Sequence, residues 1–288
     1  MRPILLGLLL ALGSSAGQAA PAVKGKTNMF RSAYDAPKDP KHKDYYERLK
    51  KDRILERFGD VLGSLRLPKP LLIKFAGCDG TINAWYEPAD GTVTFCYEYV
   101  DDLWKTSRGA KEVGIDPDAS WEGSLVFILL HETSHAVFDL LKVPILGREE
   151  DAADQVAAFV LLQLGEGAAR RTLGPAAWMY LHDSKGHMPD QSDFADVHGL
   201  DVQRFYNVLC MAYGSNPAAF KGMVDKGYLD KDRAEGCPDE FHQVAFAVKT
   251  LIDPSVDVEM AKRIRSAHKA RWEHVDKPAN MPPKSQVK

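Results

Sequence analysis

The sequence predicts an α+β fold in which a small sheet containing an antiparallel hairpin precedes a mainly helical region. Three observations predict it. Short runs rich in β-branched and aromatic residues cluster between Leu71 and Tyr97, separated by Gly77-Cys78-Asp79-Gly80 and Pro88-Ala89-Asp90-Gly91. From Val100 to His274 nearly every segment instead repeats apolar residues at helical spacing. Finally, 288 residues that are 45% hydrophobic and 27% charged can bury one sizeable core, which excludes disorder over most of the chain.

The elements follow in chain order. Residues 1–19 read as a secretory signal: Met1-Arg2, an apolar stretch from Ile4 to Leu12, then Gly17-Gln18-Ala19 as the small-x-small cleavage pattern. A transmembrane helix needs about 20 consecutive apolar residues, and this stretch has about half that before Gly13-Ser14-Ser15 interrupts it. The expected product is a soluble protein in a secreted or periplasmic location, without stable membrane insertion. Residues 20–42 carry Pro21, Pro37 and Pro40 among Lys and Asp without apolar periodicity, and read as a flexible arm. A single domain is expected over 43–275. It starts with a helix from Asp44 to Leu65, whose Leu49, Ile54, Leu55, Phe58 and Leu62 form one apolar face and which Pro68 and Pro70 end. Strands are expected at Leu71–Phe75, Thr81–Tyr86 and Thr92–Tyr97, the last two as an antiparallel hairpin. Helices are expected at about 119–142, 149–164, 166–182, 199–213, 216–226, 238–252 and 256–274, and 276–288 reads as a disordered tail.

Charge and cysteine usage narrow the classes of function. With 37 Lys+Arg against 40 Asp+Glu the net charge is −3, and no run of five basic residues occurs, so nothing electrostatic suggests nucleic acid. No phosphate loop, dinucleotide-binding glycine pattern or Gly-x-Ser-x-Gly elbow is present. In an exported chain four cysteines imply disulfides, and the local pairs Cys78–Cys96 and Cys210–Cys237 each close a short loop. Trp104, Trp121, Trp178 and Trp272, at helical spacing among apolar neighbours, read as packing residues.

The chemistry lies in His131-Glu132-Thr133-Ser134-His135, at the end of the apolar run Leu125–Leu130. Residues four apart share a helix face, so the two imidazoles can converge on one cation, while Glu132, one position round, can take a proton from bound water. A catalytic zinc needs a third protein ligand. The acidic start of the next helix, Arg148-Glu149-Glu150-Asp151-Ala152-Ala153-Asp154, offers Glu149, Glu150 and Asp151. Glu150 and Asp154 share one face, so Glu150 can reach the metal while Asp154 accepts the free ring N–H of a ligand histidine.

This pattern resembles the gluzincins, zinc metallopeptidases whose third ligand is a glutamate on a later helix. The resemblance implies a zincin-like fold, Zn2+ held by His131, His135 and Glu150, Glu132 as general base and Asp154 as orienting carboxylate. The wider chain, roughly 45–255, is similar to a bacterial metallopeptidase family catalogued mainly as a domain of unknown function. The similarity includes Asn83-Ala84-Trp85-Tyr86, Phe95-Cys96-Tyr97-Glu98, Gln203-Arg204-Phe205-Tyr206-Asn207 and Tyr213-Gly214-Ser215-Asn216-Pro217. A peptide or protein substrate is implied, with direct attack by water.

A donor for the developing oxyanion is expected from a later segment. His198, after the polar loop 183–197, is the first candidate, with His187 and Tyr206 behind it. An extended peptide can add to an edge strand formed by Asn83–Tyr86. The competing reading is a noncatalytic zinc- or peptide-binding protein, but such a protein has no need of a carboxylate at position 132.

Overall fold

The computed structural model describes residues 25–186 and 188–272; the signal segment 1–19, His187 and the tail 276–288 lie outside them. The fold is α+β, a small mixed sheet followed by a mostly helical remainder. Four strands, β1 (Phe30–Tyr34), β2 (Leu71–Ala76), β3 (Ala84–Glu87) and β4 (Thr92–Cys96), lie in the order β1-β2-β4-β3. The hairpin expected from the sequence forms, with Ala84 opposite Phe95 and Glu87 opposite Thr92. Every residue of β4 is buried, as befits a strand with neighbours on both sides and helices against it.

The N-terminal arm is corrected by the structure. Within residues 20–42, Phe30–Tyr34 pairs in parallel with β2, from Phe30 opposite Leu71 to Tyr34 opposite Phe75, and Pro40–His42 forms a 3-10 turn. A parallel partner far along the chain leaves no local turn signature. The expected helix over 44–65 is divided into α1 (Lys43–Lys51) and α2 (Ile54–Leu62), with Arg53 in the left-handed region at φ 53°. The reason is tertiary. The Tyr34 hydroxyl on β1 accepts from the Leu55 amide at 2.9 Å and donates to Glu56 Oε2 at 2.9 Å, satisfying a donor that a helix start leaves open.

A helix for which no separate span was expected, α3 (Tyr97–Gly109), follows β4 directly. Then comes α4 (Pro117–Leu141), started by Asp116, whose carboxylate accepts from the Ala119 amide at 2.9 Å, with Pro117 in its first turn. Although α4 is long and apolar enough to cross a membrane, most of it is buried under neighbouring elements, as in the core helix of a soluble protein. Around it pack α3, α5 (Glu149–Gln163) and α6 (Glu166–Asp183), with the sheet edge β3 alongside. The crossing of α4 and α6 is close because Gly123, which has no side chain, lies against the Arg171 carbonyl and the Pro175 ring of α6.

The remaining helices are α7 (Gln191–Ala195), α8 (Asp201–Ser215), α9 (Pro217–Phe220), α10 (Gly222–Asp225), α11 (Lys231–Leu251) and α12 (Val258–Trp272). The span expected at 216–226 is two short helices, and α11 begins seven residues before Pro238, capped by Asp230. Both expected disulfides are present: Cys78–Cys96 ties the loop before β3 to the end of β4, and Cys210–Cys237 ties α8 to α11.

Candidate metal centre

Helix α4 delivers His131, Glu132 and His135 from the molecular interior. The two intervening residues are satisfied within the helix, since the Thr133 hydroxyl donates to Leu129 O at 2.7 Å and Ser134 to Leu130 O at 2.8 Å. A seven-residue connection, 142–148, then brings the first turn of α5 back across α4, placing Glu150 over the two histidines. The distances are those of ligands around one ion. His131 Nε2 lies 3.2 Å from His135 Nε2 and 3.0 Å from Glu150 Oε2, and His135 Nε2 lies 3.3 Å from Glu150 Oε2. Donors about 2.0–2.1 Å from a tetrahedral ion are about 3.4 Å apart.

The far sides of the rings decide which nitrogen faces inward. His131 Nδ1 is 2.8 Å from Asp154 Oδ1, His135 Nδ1 is 2.8 Å from Glu149 Oε1, and His198 Nδ1 is 2.8 Å from Asp196 Oδ1. An ionised carboxylate only accepts, so each Nδ1 carries its hydrogen, and in the neutral ring each Nε2 presents a lone pair. All three Nε2 atoms approach the same oxygen, because His198 Nε2 also lies 3.0 Å from Glu150 Oε2. Lone pairs and a carboxylate oxygen this close repel unless a cation or protons lie between them. The residues therefore fit a divalent metal.

Protons fill that need in the metal-free protein. Burial pushes the His131 imidazole down, but hydrogen bonds to Asp154 and Glu150 outweigh it and lift the ring to about 9. His135 is also raised, by Glu150 and Glu149 against burial, and His198 by Glu150 and Asp196. Burial works against ionisation of Glu150, yet its three histidine partners hold its carboxyl far below the usual range. Glu132 behaves differently. It is buried, makes no hydrogen bond to these rings, and is pushed up by desolvation despite the neighbouring histidines. A carboxylate of raised basicity beside the ligand pair can accept and return a proton.

Sequence reading missed the support behind Asp154. This buried carboxylate accepts from Arg204 Nε at 2.8 Å and Nη2 at 2.9 Å, and from the Tyr180 hydroxyl at 3.1 Å. Burial would raise the Asp154 carboxyl, but the Arg204 guanidinium and the hydrogen bond to His131 hold it well below the usual range. The only available signal was Arg204 inside Gln203-Arg204-Phe205-Tyr206-Asn207, and no spacing rule links it to Asp154.

His198 stands just before α8, with its carbonyl accepting from Arg148 Nη1 at 3.1 Å. It faces a cavity of about 1070 Å³ that Asn83, Tyr99, Asp196 and Arg204 also line. Tyr206 is not brought to this group; it lines a separate cavity of about 560 Å³ with Arg148, Asp151 and Arg233. The edge strand β3 is fixed beside α4 by Tyr86, whose hydroxyl donates to Asp139 Oδ2 at 2.8 Å, one turn beyond His135. A second cluster, Cys78, Cys96 and Glu98, is structural: the cysteines are bonded to each other, and Glu98 accepts from the Cys78 and Gly80 amides, both at 3.1 Å.

A family model described as "Putative metallopeptidase" matches residues 34–252. No curated protein and no solved structure matches the chain. The family implies a metal, and the matched span holds α4, α5 and α8, the helices that supply the convergent side chains. Since the match covers well over half of the sequence, the chain belongs to this metallopeptidase family.

Proposed function

We propose that the protein is an exported, zinc-dependent metallopeptidase of the gluzincin type on a zincin-like fold. In this reading His131, His135 and Glu150 hold Zn2+, and Asp154 orients His131. The observation that carries it is the triangle of His131 Nε2, His135 Nε2 and Glu150 Oε2 with 3.0–3.3 Å edges, each imidazole anchored by a carboxylate at Nδ1. Two nitrogens and one oxygen suit zinc and leave room for water or substrate.

When bound, the ion supplies a Lewis acid that polarises a carbonyl and lowers the pKa of water towards about 7. The chain does the rest. Glu132 accepts the proton of the attacking water and delivers it to the leaving amine, a role that its raised carboxyl supports. His198, whose ring the hydrogen bonds to Glu150 and Asp196 shift towards the protonated form, donates to the developing oxyanion. A peptide substrate lies extended along β3 and enters the 1070 Å³ cavity. Two disulfides suit an extracellular or periplasmic environment, which agrees with export by the segment 1–19.

The test is Glu132→Gln, which keeps volume and removes the proton acceptor. A broad peptide library and bound zinc are measured in both proteins. The expected loss in kcat is about 10²–10⁴-fold with zinc content unchanged. Equal activity removes Glu132 from the mechanism. Stoichiometric zinc with no cleavage by the wild type favours a noncatalytic binding protein.

A further inference from the structure

Two buried groups behind the candidate metal centre, Arg204 and the Tyr180 hydroxyl, have no part in the chemistry just described. Arg204 on α8 and Asp154 on α5 are both buried, and the guanidinium grips both carboxylate oxygens, Nε to Oδ2 at 2.8 Å and Nη2 to Oδ1 at 2.9 Å. Oδ1 also takes the Tyr180 hydroxyl of α6 at 3.1 Å and His131 Nδ1 of α4 at 2.8 Å. The guanidinium carbon stands 4.3 Å over the Tyr180 ring, so the planar group is held in orientation as well as by its hydrogen bonds. Four helices therefore meet at one carboxylate.

A carboxylate has two torsions to fix before it can aim a ring. The His131 bond alone fixes neither, because Asp154 could swing with the imidazole. A two-point guanidinium clamp fixes its plane, and Tyr180 fixes Oδ1 from another side. The plane of His131 and the direction of its Nε2 lone pair then follow from α8, from outside the two ligand-bearing helices. Burial adds a requirement: Asp154 without Arg204 would be an uncompensated charge in the interior, and the local packing would change to hydrate it.

We propose that Arg204 is a positioning residue for the metal centre. Through Asp154 it holds His131 in the ligating orientation, so that metal retention depends on a residue of α8 that does not itself ligate. This rests on the reading of His131 as a metal ligand.

The experiment uses the full folded chain and measures Zn2+ affinity by chelator competition and the visible spectrum of the Co2+-loaded protein, without reference to activity. Arg204→Met should weaken Zn2+ binding about 10–100-fold and change the Co2+ ligand-field bands. Arg204→Lys, which keeps charge but loses the two-point grip, should recover part of the affinity and remain spectrally altered; it also serves if the methionine variant does not fold. Asp154→Asn should lower affinity similarly, and adding Arg204→Met to it should cost little more, because both act through one carboxylate. Zn2+ affinity within twofold of wild type and an unchanged Co2+ spectrum in both Arg204 variants would overturn the proposal, even if they melt earlier, since a purely structural ion pair predicts that pattern. His131→Ala separates the two levels: if it leaves Zn2+ affinity intact, the metal assignment itself falls, whereas loss there without loss in the Arg204 variants sinks only the role of Arg204.

Discussion

Metal binding at this centre should be a proton exchange with a definite pH slope. In the metal-free protein His131 donates from Nδ1 to Asp154 and, when protonated, from Nε2 to Glu150, which holds its imidazolium up to about 9. A ligating Nε2 must lose that proton. Below about pH 9, each unit of falling pH should therefore weaken Zn2+ binding about tenfold, or roughly 1.4 kcal/mol. Between pH 6 and 8 this amounts to about 100-fold from His131 alone. His135, the other ligand imidazole, is raised in the same direction and steepens the slope, while Glu150 and Asp154 stay ionised throughout and contribute nothing to it. The metal-free protein should show the opposite trend. A group raised above its unfolded value of about 6.5 stabilises fully below that pH, and the stabilisation, on the order of 3 kcal/mol for His131, is lost as pH climbs through 9. Calorimetric titration with Zn2+ in buffers of different ionisation enthalpy counts the protons, and thermal melts of loaded and metal-free protein measure the widening gap. An affinity flat between pH 6 and 8, with no proton released, would refute the reasoning.

Other outcomes test the frame that holds the centre. Serine at Cys210 and Cys237 removes a cross-link spanning 27 residues, which should lower stability by roughly 3–4 kcal/mol in urea unfolding and loosen α8, the helix of Arg204. Full stability in the reduced protein would show that the disulfide contributes nothing. Gly214→Ala should destabilise by about 1–3 kcal/mol, because a Cβ there overlaps the Cys237 carbonyl and meets Phe241 Cβ at 3.0 Å; an unchanged denaturation midpoint would contradict the close α8–α11 approach. The Glu132→Gln and Arg204 variants complete the set, the first reading chemistry and the second metal retention.

What the sequence determined by itself was local. Helix α4 could be read because periodicity, Asp116 and Pro117 all act within a few residues, and two histidines four apart share a face whatever surrounds them. Glu150 and Asp154 were legible for the same reason, as was the β3–β4 hairpin, whose partners are joined by a short turn. Tertiary structure decided whatever joins distant stretches of chain. Strand β1 was hidden because its partner begins some forty residues later, and the break between α1 and α2 is set by Tyr34 reaching across from that strand. Arg204 lies fifty positions from Asp154, and nothing in its own neighbourhood announces a bond to a buried carboxylate. Local rules set two imidazoles on one helix face, whereas the carboxylate bonded to His131 Nδ1 is itself gripped by Arg204 of α8. Only the packed fold brings those two groups together.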